Sequence, residues 1–99
     1  MNMQSLMMQA QKMKKDMEKA QGEILNNEYD GNSQLVDVVM KGDYTLSSVS
    51  LKVDGEISAD DKEMLEDMIL LAVNDAVKKI EKDKEEKFGK YGQVFNGLM

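Results

Sequence analysis

The chain has 99 residues, of which 41% are hydrophobic and 32% charged, and its formal net charge is −6. This length predicts one small domain, and a domain of this size buries a limited share of its surface, which favours association with a second subunit. The sequence has no Cys and no His, and all 13 basic residues are Lys. Thiol nucleophiles, disulfides and the usual transition-metal ligands are therefore excluded, and we predict no enzyme, no metal site and no cofactor.

Charge is distributed unevenly along the chain. Residues 1–22 carry a balance of +2, residues 23–77 carry −10, and residues 78–99 carry +2. The acidic total argues against a nucleic-acid partner, whereas the lysines toward both ends favour one. The longest apolar run, residues 68–73, is far shorter than the roughly 20 residues that span a bilayer. We also find no secretory signal, and we expect a cytoplasmic protein without a membrane partner.

The first predicted element is a helix over about residues 2–25. Lys12, Lys15 and Lys19 form a stripe on one side of it. Periodicity alone allows two interpretations of this stripe, an ordinary solvated face or a surface for a polyanion. The opposite side carries a heptad seam, typical of a helix that packs lengthwise against another helix in an adaptable, Met-rich contact. The seam consists of Met3, Leu6, Ala10, Met13, Met17, Ala20 and Ile24.

The middle of the chain predicts an antiparallel meander of about three strands. A short strand at residues 28–29 precedes turn residues at 29–32, and a β-branched, apolar strand follows at 35–40. Residues 41–43 give a hairpin turn signal. Between residues 48 and 53, Ser and Lys alternate with Val and Leu, which predicts a strand with one buried and one solvent-facing side. Such a sheet needs a helix on its buried face and invites a second subunit at its edge.

A second helix is predicted to start near Asp60, with Glu63 placed as in a capping box. Residues 81–87 contain no apolar residue, so we expect this stretch to extend into solvent. We expect Gly89, Gly92 and Gly97 to break the helix, which divides the chain into a single domain at 1–88 and a flexible tail at 89–99. A wide apolar face should cover the sheet; its residues are Leu65, Met68, Ile69, Ala72, Val73, Ala76, Val77 and Ile80.

Motifs for other chemistry are missing or incomplete. The serines at 47–50 have no His and no Lys base at motif spacing, so a solvent-facing strand explains them better than a nucleophile does. The acidic residues at 28–32 and 60–61 do not continue into a calcium loop. What remains is an interaction surface formed by lysines. Lysines contact phosphate as point charges, and without Arg the commonest specific contact to guanine is missing.

Five segments of the chain, taken together, resemble the YbaB/EbfC family of bacterial nucleoid-associated proteins. Their order and spacing agree with the family from about residue 3 to residue 82, which is most of the chain. The segments are 3–17 (MQSLMMQAQKMKKDM), 35–42 (LVDVVMKG), 48–51 (SVSL), 61–69 (DKEMLEDMI) and 74–76 (NDA).

The resemblance implies an α+β subunit with a long N-terminal helix, a small antiparallel β-meander and a long C-terminal helix, joined as an intertwined homodimer with projecting helices. It implies binding of duplex DNA with low or modest sequence preference, in nucleoid organisation or gene regulation, and no small-molecule substrate. The DNA contacts implied for this chain are Lys12, Lys14, Lys15, Lys19, Lys78, Lys79, Lys82 and Lys84. At the dimer interface we expect Met3, Leu6, Ala10, Met13, Met17, Val36, Val38 and Met40.

A second hypothesis is a protein-interaction module. The chain has ten Met residues, several of them on the seam of the first helix. Met-rich surfaces repack easily against different partner helices. This hypothesis predicts no binding to duplex DNA at low salt and a specific protein partner instead.

Overall fold

A helix, three strands and a second helix follow one another in the computed structural model, which describes the backbone of residues 2–98 and the side chains of residues 2–89. This order is the predicted α+β architecture. The elements are α1 (Met3–Asn26), β1 (Glu28–Asn32), β2 (Val36–Lys41), β3 (Leu46–Leu51), a 3-10 turn (Ala59–Asp61) and α2 (Lys62–Leu98). Among the described residues, neither helix has the length and apolar content needed to cross a bilayer.

The three strands form the predicted antiparallel meander, in the order β1-β2-β3. The turn predicted at residues 29–32 is wrong, because these residues continue β1 and the chain reverses at residues 33–35. There the backbone N–H of Ser33 donates to the carbonyl oxygen of Val36 at 2.8 Å. A bulge between Val39 and Met40 shifts the register of β3 by one residue.

The core lies between α2 and the sheet, and it confirms the predicted apolar face of α2. Its four buried helix positions are spaced by four or seven residues, so they lie on one side of α2. Three strand residues, all from β2, face them. The buried residues are Leu65, Ala72, Ala76 and Ile80 from α2, and Val36, Val38 and Met40 from β2.

Small residues bring α2 unusually close to the sheet at β1. A Cβ atom on Gly31 would lie 2.0 Å from the carbonyl oxygen of Ala72 and 2.8 Å from the Cβ of Ala76. No side chain fits such a gap. Gly31 therefore belongs to the strand because the helix packs directly against its backbone, not because the chain turns there.

One face of β3 stays uncovered, which differs from the buried face predicted for this strand. Leu46, Val49 and Leu51 pair with Met40, Val38 and Val36 of β2, so they share the face on which α2 lies. Yet α2 packs on β1 and β2 and, among the described residues, does not reach β3. The three β3 side chains are 46%, 50% and 43% exposed.

Helix α1 is joined to the body of the chain at its C-terminal end. Ile24 is its one buried residue among those described, and Gly42 lies directly beneath it, because a Cβ on Gly42 would be 1.8 Å from the Ile24 carbonyl oxygen. At the other end, the side chain of Asn2 caps the helix by accepting from the backbone N–H of Ser5 at 2.8 Å. Met3 is 77% exposed, so the N-terminal part of α1 projects from the body.

Helix α2 continues beyond its predicted end. Its backbone is helical to Leu98, so the prediction that Gly89, Gly92 and Gly97 break the helix is wrong. An isolated glycine costs a helix about 1 kcal/mol, which neighbouring helix-favouring residues offset. Apart from Gly89, the tail expected at residues 89–99 lies outside the described side chains.

Two tyrosines hold residues 81–87 of α2, which the sequence predicted to extend freely into solvent. The Tyr29 hydroxyl donates to the carboxylate of Asp83, and the Tyr44 hydroxyl donates to that of Glu81. The ammonium group of Lys84 donates to the Tyr44 hydroxyl at 2.7 Å and lies 4.3 Å from the centre of its ring. The two tyrosine hydroxyls thus provide hydrogen-bond partners for charged residues in a stretch of α2 without apolar residues, and these contacts hold α2 against the sheet.

Candidate nucleic-acid interface

The lysine stripe of α1, formed by Lys12, Lys15 and Lys19, is exposed along its length. At 3.6 residues per turn, the three side chains fall within an arc of about 60° and span roughly 10 Å of the helix axis. They lie opposite the heptad seam. No ion pair engages them in the part of the chain that the structure describes. The stripe thus presents three ammonium groups to solvent on the side of α1 opposite the half-buried Met13 and Met17.

The other predicted contact on α1, Lys14, is also exposed but does not join the stripe. It lies about 130° around the helix from the centre of the stripe. Two acidic residues, Asp16 and Glu23, follow Lys12 and Lys19 by four positions and flank the stripe. They reduce its local positive charge without forming an ion pair with it.

The structure divides the four lysines predicted on α2 into two pairs. Lys79 and Lys84 are engaged within the chain. Lys79 forms an ion pair with Asp75 at 3.3 Å and donates to the carbonyl oxygen of Asp30 at 2.6 Å, which joins α2 to β1. Lys84 is held by Tyr44. These two lysines stabilise the packing of α2 against the sheet.

Lys78 and Lys82 form the second pair. They lie one turn apart on the same side of α2, and both are exposed. In the described residues neither takes part in an ion pair. Lys87, a further lysine of this region, is paired with Asp83 at 3.1 Å. On α2, Lys78 and Lys82 are therefore the better placed of the predicted contacts to meet an anionic ligand.

Two carboxylates of α2 accept hydrogen bonds from β1. Asp75 accepts from the backbone N–H of Asn32 at 2.9 Å, and this bond, followed by the Lys79 ammonium, holds the pKa of Asp75 below its usual value. The Tyr29 hydroxyl, followed by Lys87, likewise lowers the pKa of Asp83. Both bonds are stronger to the charged form of the carboxylate, so they tie the helix to the sheet most firmly while the acids are ionised.

We expect the protein to lose stability in acid because of these bonds. A carboxyl group whose pKa is lowered by folding contributes stability above its unfolded pKa, near 4, and that stability is lost as the pH falls through the folded pKa. The urea midpoint should therefore fall as the pH is lowered from about 5 toward 2. In a variant with Asp75→Asn and Asp83→Asn, this fall should be smaller and the midpoint at pH 7 lower.

The control is Asp54→Asn, a change in the exposed connection between β3 and α2. It should leave both the midpoint at pH 7 and its pH dependence as in the unchanged protein. Equal pH dependence of the double variant and the unchanged protein would contradict the role of the two bonds.

The residues predicted at a dimer interface separate in the structure. Met3, Leu6 and Ala10 of the seam are exposed, and Met13 and Met17 are half-buried. By contrast, the three strand residues predicted at the interface, Val36, Val38 and Met40, are buried in the chain's own core beneath α2. This part of the prediction is therefore corrected, and these residues are not part of the candidate interface.

The uncovered face of β3, formed by Leu46, Val49 and Leu51, is an apolar surface, and the sequence predicted two of these residues, Val49 and Leu51, on a buried side. The alternation of Val49 and Leu51 with serines was its visible signal. That pattern shows that one side of a strand is apolar, but it does not distinguish burial within one chain from burial against a second one.

Comparison with known proteins assigns the chain to a family. The model of the YbaB/EbfC DNA-binding family matches residues 1–95. A nucleoid-associated protein of Ligilactobacillus salivarius is 43% identical over 100 aligned residues, covering 99% of this chain and 95% of the relative. Another, from Lactococcus lactis, is 50% identical and covers 92% of this chain and 93% of the relative. One from Francisella tularensis is 50% identical and covers 83% of this chain and 73% of the relative. The chain belongs to the YbaB/EbfC DNA-binding family.

Proposed function

We propose that the protein is a homodimeric nucleoid-associated protein that binds duplex DNA with low or modest sequence preference through lysines on its projecting helices. Its place of action is then the nucleoid, and its role nucleoid organisation or gene regulation. The observation that carries the proposal is the lysine stripe on the solvent-facing side of α1, exposed and free of ion pairs in the described residues. The names of the relatives support it.

Binding by lysine alone accounts for the modest sequence preference. Each ammonium group that neutralises a phosphate releases condensed counterions, and this gain is independent of the base sequence. Arg, the residue that most often recognises guanine through two hydrogen bonds, is absent from the chain. The stripe therefore contacts the backbone, and base sequence enters mainly through the shape and flexibility of the duplex.

The negative net charge is compatible with DNA binding because the acids are segregated. Exposed acidic residues are concentrated in residues 54–67, which form the connection from β3 and the first turns of α2. The projecting part of α1 carries the opposite charge balance. Repulsion of the acidic segment orients the molecule so that the lysine stripe meets the phosphates first.

Two features favour a second copy of this chain as the partner. The N-terminal part of the α1 seam and the β3 face are both apolar and exposed in the single chain. A chain of 99 residues gains stability by covering such surfaces. Two copies present two lysine stripes, so that binding of the first raises the effective concentration of the second along the same duplex.

The test is fluorescence anisotropy of a labelled random-sequence duplex at several salt concentrations. We expect the affinity to fall steeply with salt. Changing Lys12, Lys15 and Lys19 together to Ala should weaken binding on the order of tenfold or more at low salt. The slope of log K against log salt should decrease by roughly 0.9 for each phosphate that is no longer neutralised by a lysine.

The matched control changes Lys41, Lys52 and Lys62 to Ala. Lys41 ends β2, Lys52 follows β3, and Lys62 begins α2 within the acidic segment 54–67. Their replacement removes the same number of positive charges. The control should keep most of the affinity and the slope. Equal effects of both variants would show that net charge alone matters. If the unchanged protein fails to bind duplex at low salt, the Met-rich interaction module becomes the better explanation.

A further inference from the structure

One methionine of α1, Met8, lies on the face that carries the lysine stripe. At 100° per residue its direction falls between those of Lys15 and Lys19, four residues before Lys12. It lies outside the heptad seam, and its side chain is 65% exposed. A large apolar side chain thus stands at the free end of a row of three ammonium groups.

We propose that Met8 inserts as a wedge between two adjacent base pairs of the bound duplex, at the end of the lysine stripe. This inference rests on the proposed function and names a contact within it. Apolar wedges, Met among them, unstack a base step and kink the duplex in proteins that read DNA by shape. Met suits this role because its thioether chain is unbranched, flexible and polarisable.

The charges around Met8 favour duplex DNA over a protein as the occupant of this face. A partner protein that buried Met8 in an apolar pocket would have to accommodate Lys12 and Lys15, which lie within two turns of it. A duplex offers both surfaces at the required spacing, since phosphates neutralise the lysines while base faces contact the methionine.

The wedge also provides a source of sequence preference in a chain without Arg. Pyrimidine–purine steps such as TA and CA unstack at the lowest cost, so an inserted Met8 favours sites that contain them. The preference arises from the energy of deformation, without a hydrogen bond to any base edge.

The chain contains a matched control in the neighbouring residue. Met7 is 60% exposed, so it equals Met8 in chemistry and nearly equals it in exposure. It lies about 100° around the helix, outside the stripe and toward the seam. A change of Met7 to Ala removes the same atoms from the same turn of the same helix. Because both side chains are exposed and Ala favours helices, neither change should disturb folding.

The experiment uses a short duplex with one central TA step whose adenine is replaced by 2-aminopurine, a base that becomes more fluorescent when it is unstacked. We expect the full-length protein to raise the fluorescence. Met8→Ala should abolish the rise and weaken binding to this duplex roughly tenfold, as expected when a large apolar side chain is no longer buried. The salt slope should be unchanged, since the lysines still neutralise the same phosphates. Met7→Ala should behave as the unchanged protein, and Met8→Leu should restore the signal.

Three outcomes would overturn the wedge. The first is that the protein without substitutions binds the duplex with a steep salt dependence but does not raise the 2-aminopurine fluorescence, which leaves the proposed function intact. The second is equal behaviour of Met7→Ala and Met8→Ala. The third is dissociation of the dimer by Met8→Ala, measured by sedimentation without DNA, which would assign Met8 to a protein contact. Absence of binding to any duplex would overturn both the wedge and the proposed function.

Discussion

Changing Gly31 to Ala is expected to lower the free energy of unfolding by about 3 kcal/mol, the upper part of the range for overpacking a core. The added methyl group would lie 2.0 Å from the carbonyl oxygen of Ala72, a backbone atom inside a helix. A flexible side chain would move aside at little cost, but here α2 as a whole has to shift away from β1. Urea denaturation followed by circular dichroism measures the decrease.

The control for this change is Gly22→Ala in α1. A Cβ on Gly22 meets nothing within 4 Å, and the residue lies inside a helix. Its replacement should therefore raise the free energy of unfolding by about 0.5–1 kcal/mol through the lower flexibility of the unfolded chain. Equal stability of Gly31→Ala and the unchanged protein would contradict the close packing of α2 on β1.

Changing Val49 to Asp is expected to convert the proposed dimer into folded monomers. Val49 lies at the centre of the β3 face and is 50% exposed in the single chain, so a carboxylate there costs the monomer little. In a dimer that covers this face, the same carboxylate is buried without a partner, which is strongly destabilising. Sedimentation velocity measures the mass, and circular dichroism shows whether the fold is kept. DNA affinity should fall at least tenfold, since a monomer has one lysine stripe.

Ser48→Asp is the matched control for the change at Val49. Ser48 pairs with Val39 of β2 and therefore faces the opposite side of the sheet. The two variants place the same charge on the same strand, one residue apart. A Val49→Asp variant that remains dimeric would exclude the β3 face from the interface and leave the seam of α1 as the surface that joins two copies.

The helices and the strand order were predictable from the sequence because local patterns determine them. Alternating intervals of three and four residues identify α1, apolar residues recurring one helical turn apart identify the face of α2, and the β-branched run identifies β2. The lysine stripe follows from the same periodicity, because residues on one helix face stay together whatever surrounds the helix.

The contacts between distant elements were not predictable in the same way. A glycine in a sequence is equally compatible with a turn and with the close approach of another backbone. At Gly31 the reason is the close approach of helix α2. The hydrogen bond from Tyr29 to Asp83 joins residues that are 54 positions apart. Likewise, sequence does not show that Lys79 and Lys84 bind inside the chain. Such distinctions depend on tertiary packing.

Helix α1 is attached toward its C-terminal end and is free at its N-terminal end, so a small tilt of the helix moves the free end most. Residues 3–10 of α1 are exposed, whereas Met13 and Met17 are half-buried and Ile24 is buried, so the free arm is roughly 15 Å long, from about residue 12 to Met3. A rotation of about 5° at its base moves the Met3 end by roughly 1 Å. In the proposed dimer, small changes in hinge angle move the N-terminal ends of two such arms, so the pair adjusts its span to duplexes of different groove width without any repacking of the sheet. Tolerance of varied groove geometry is then a property of the leverage rather than of individual side chains.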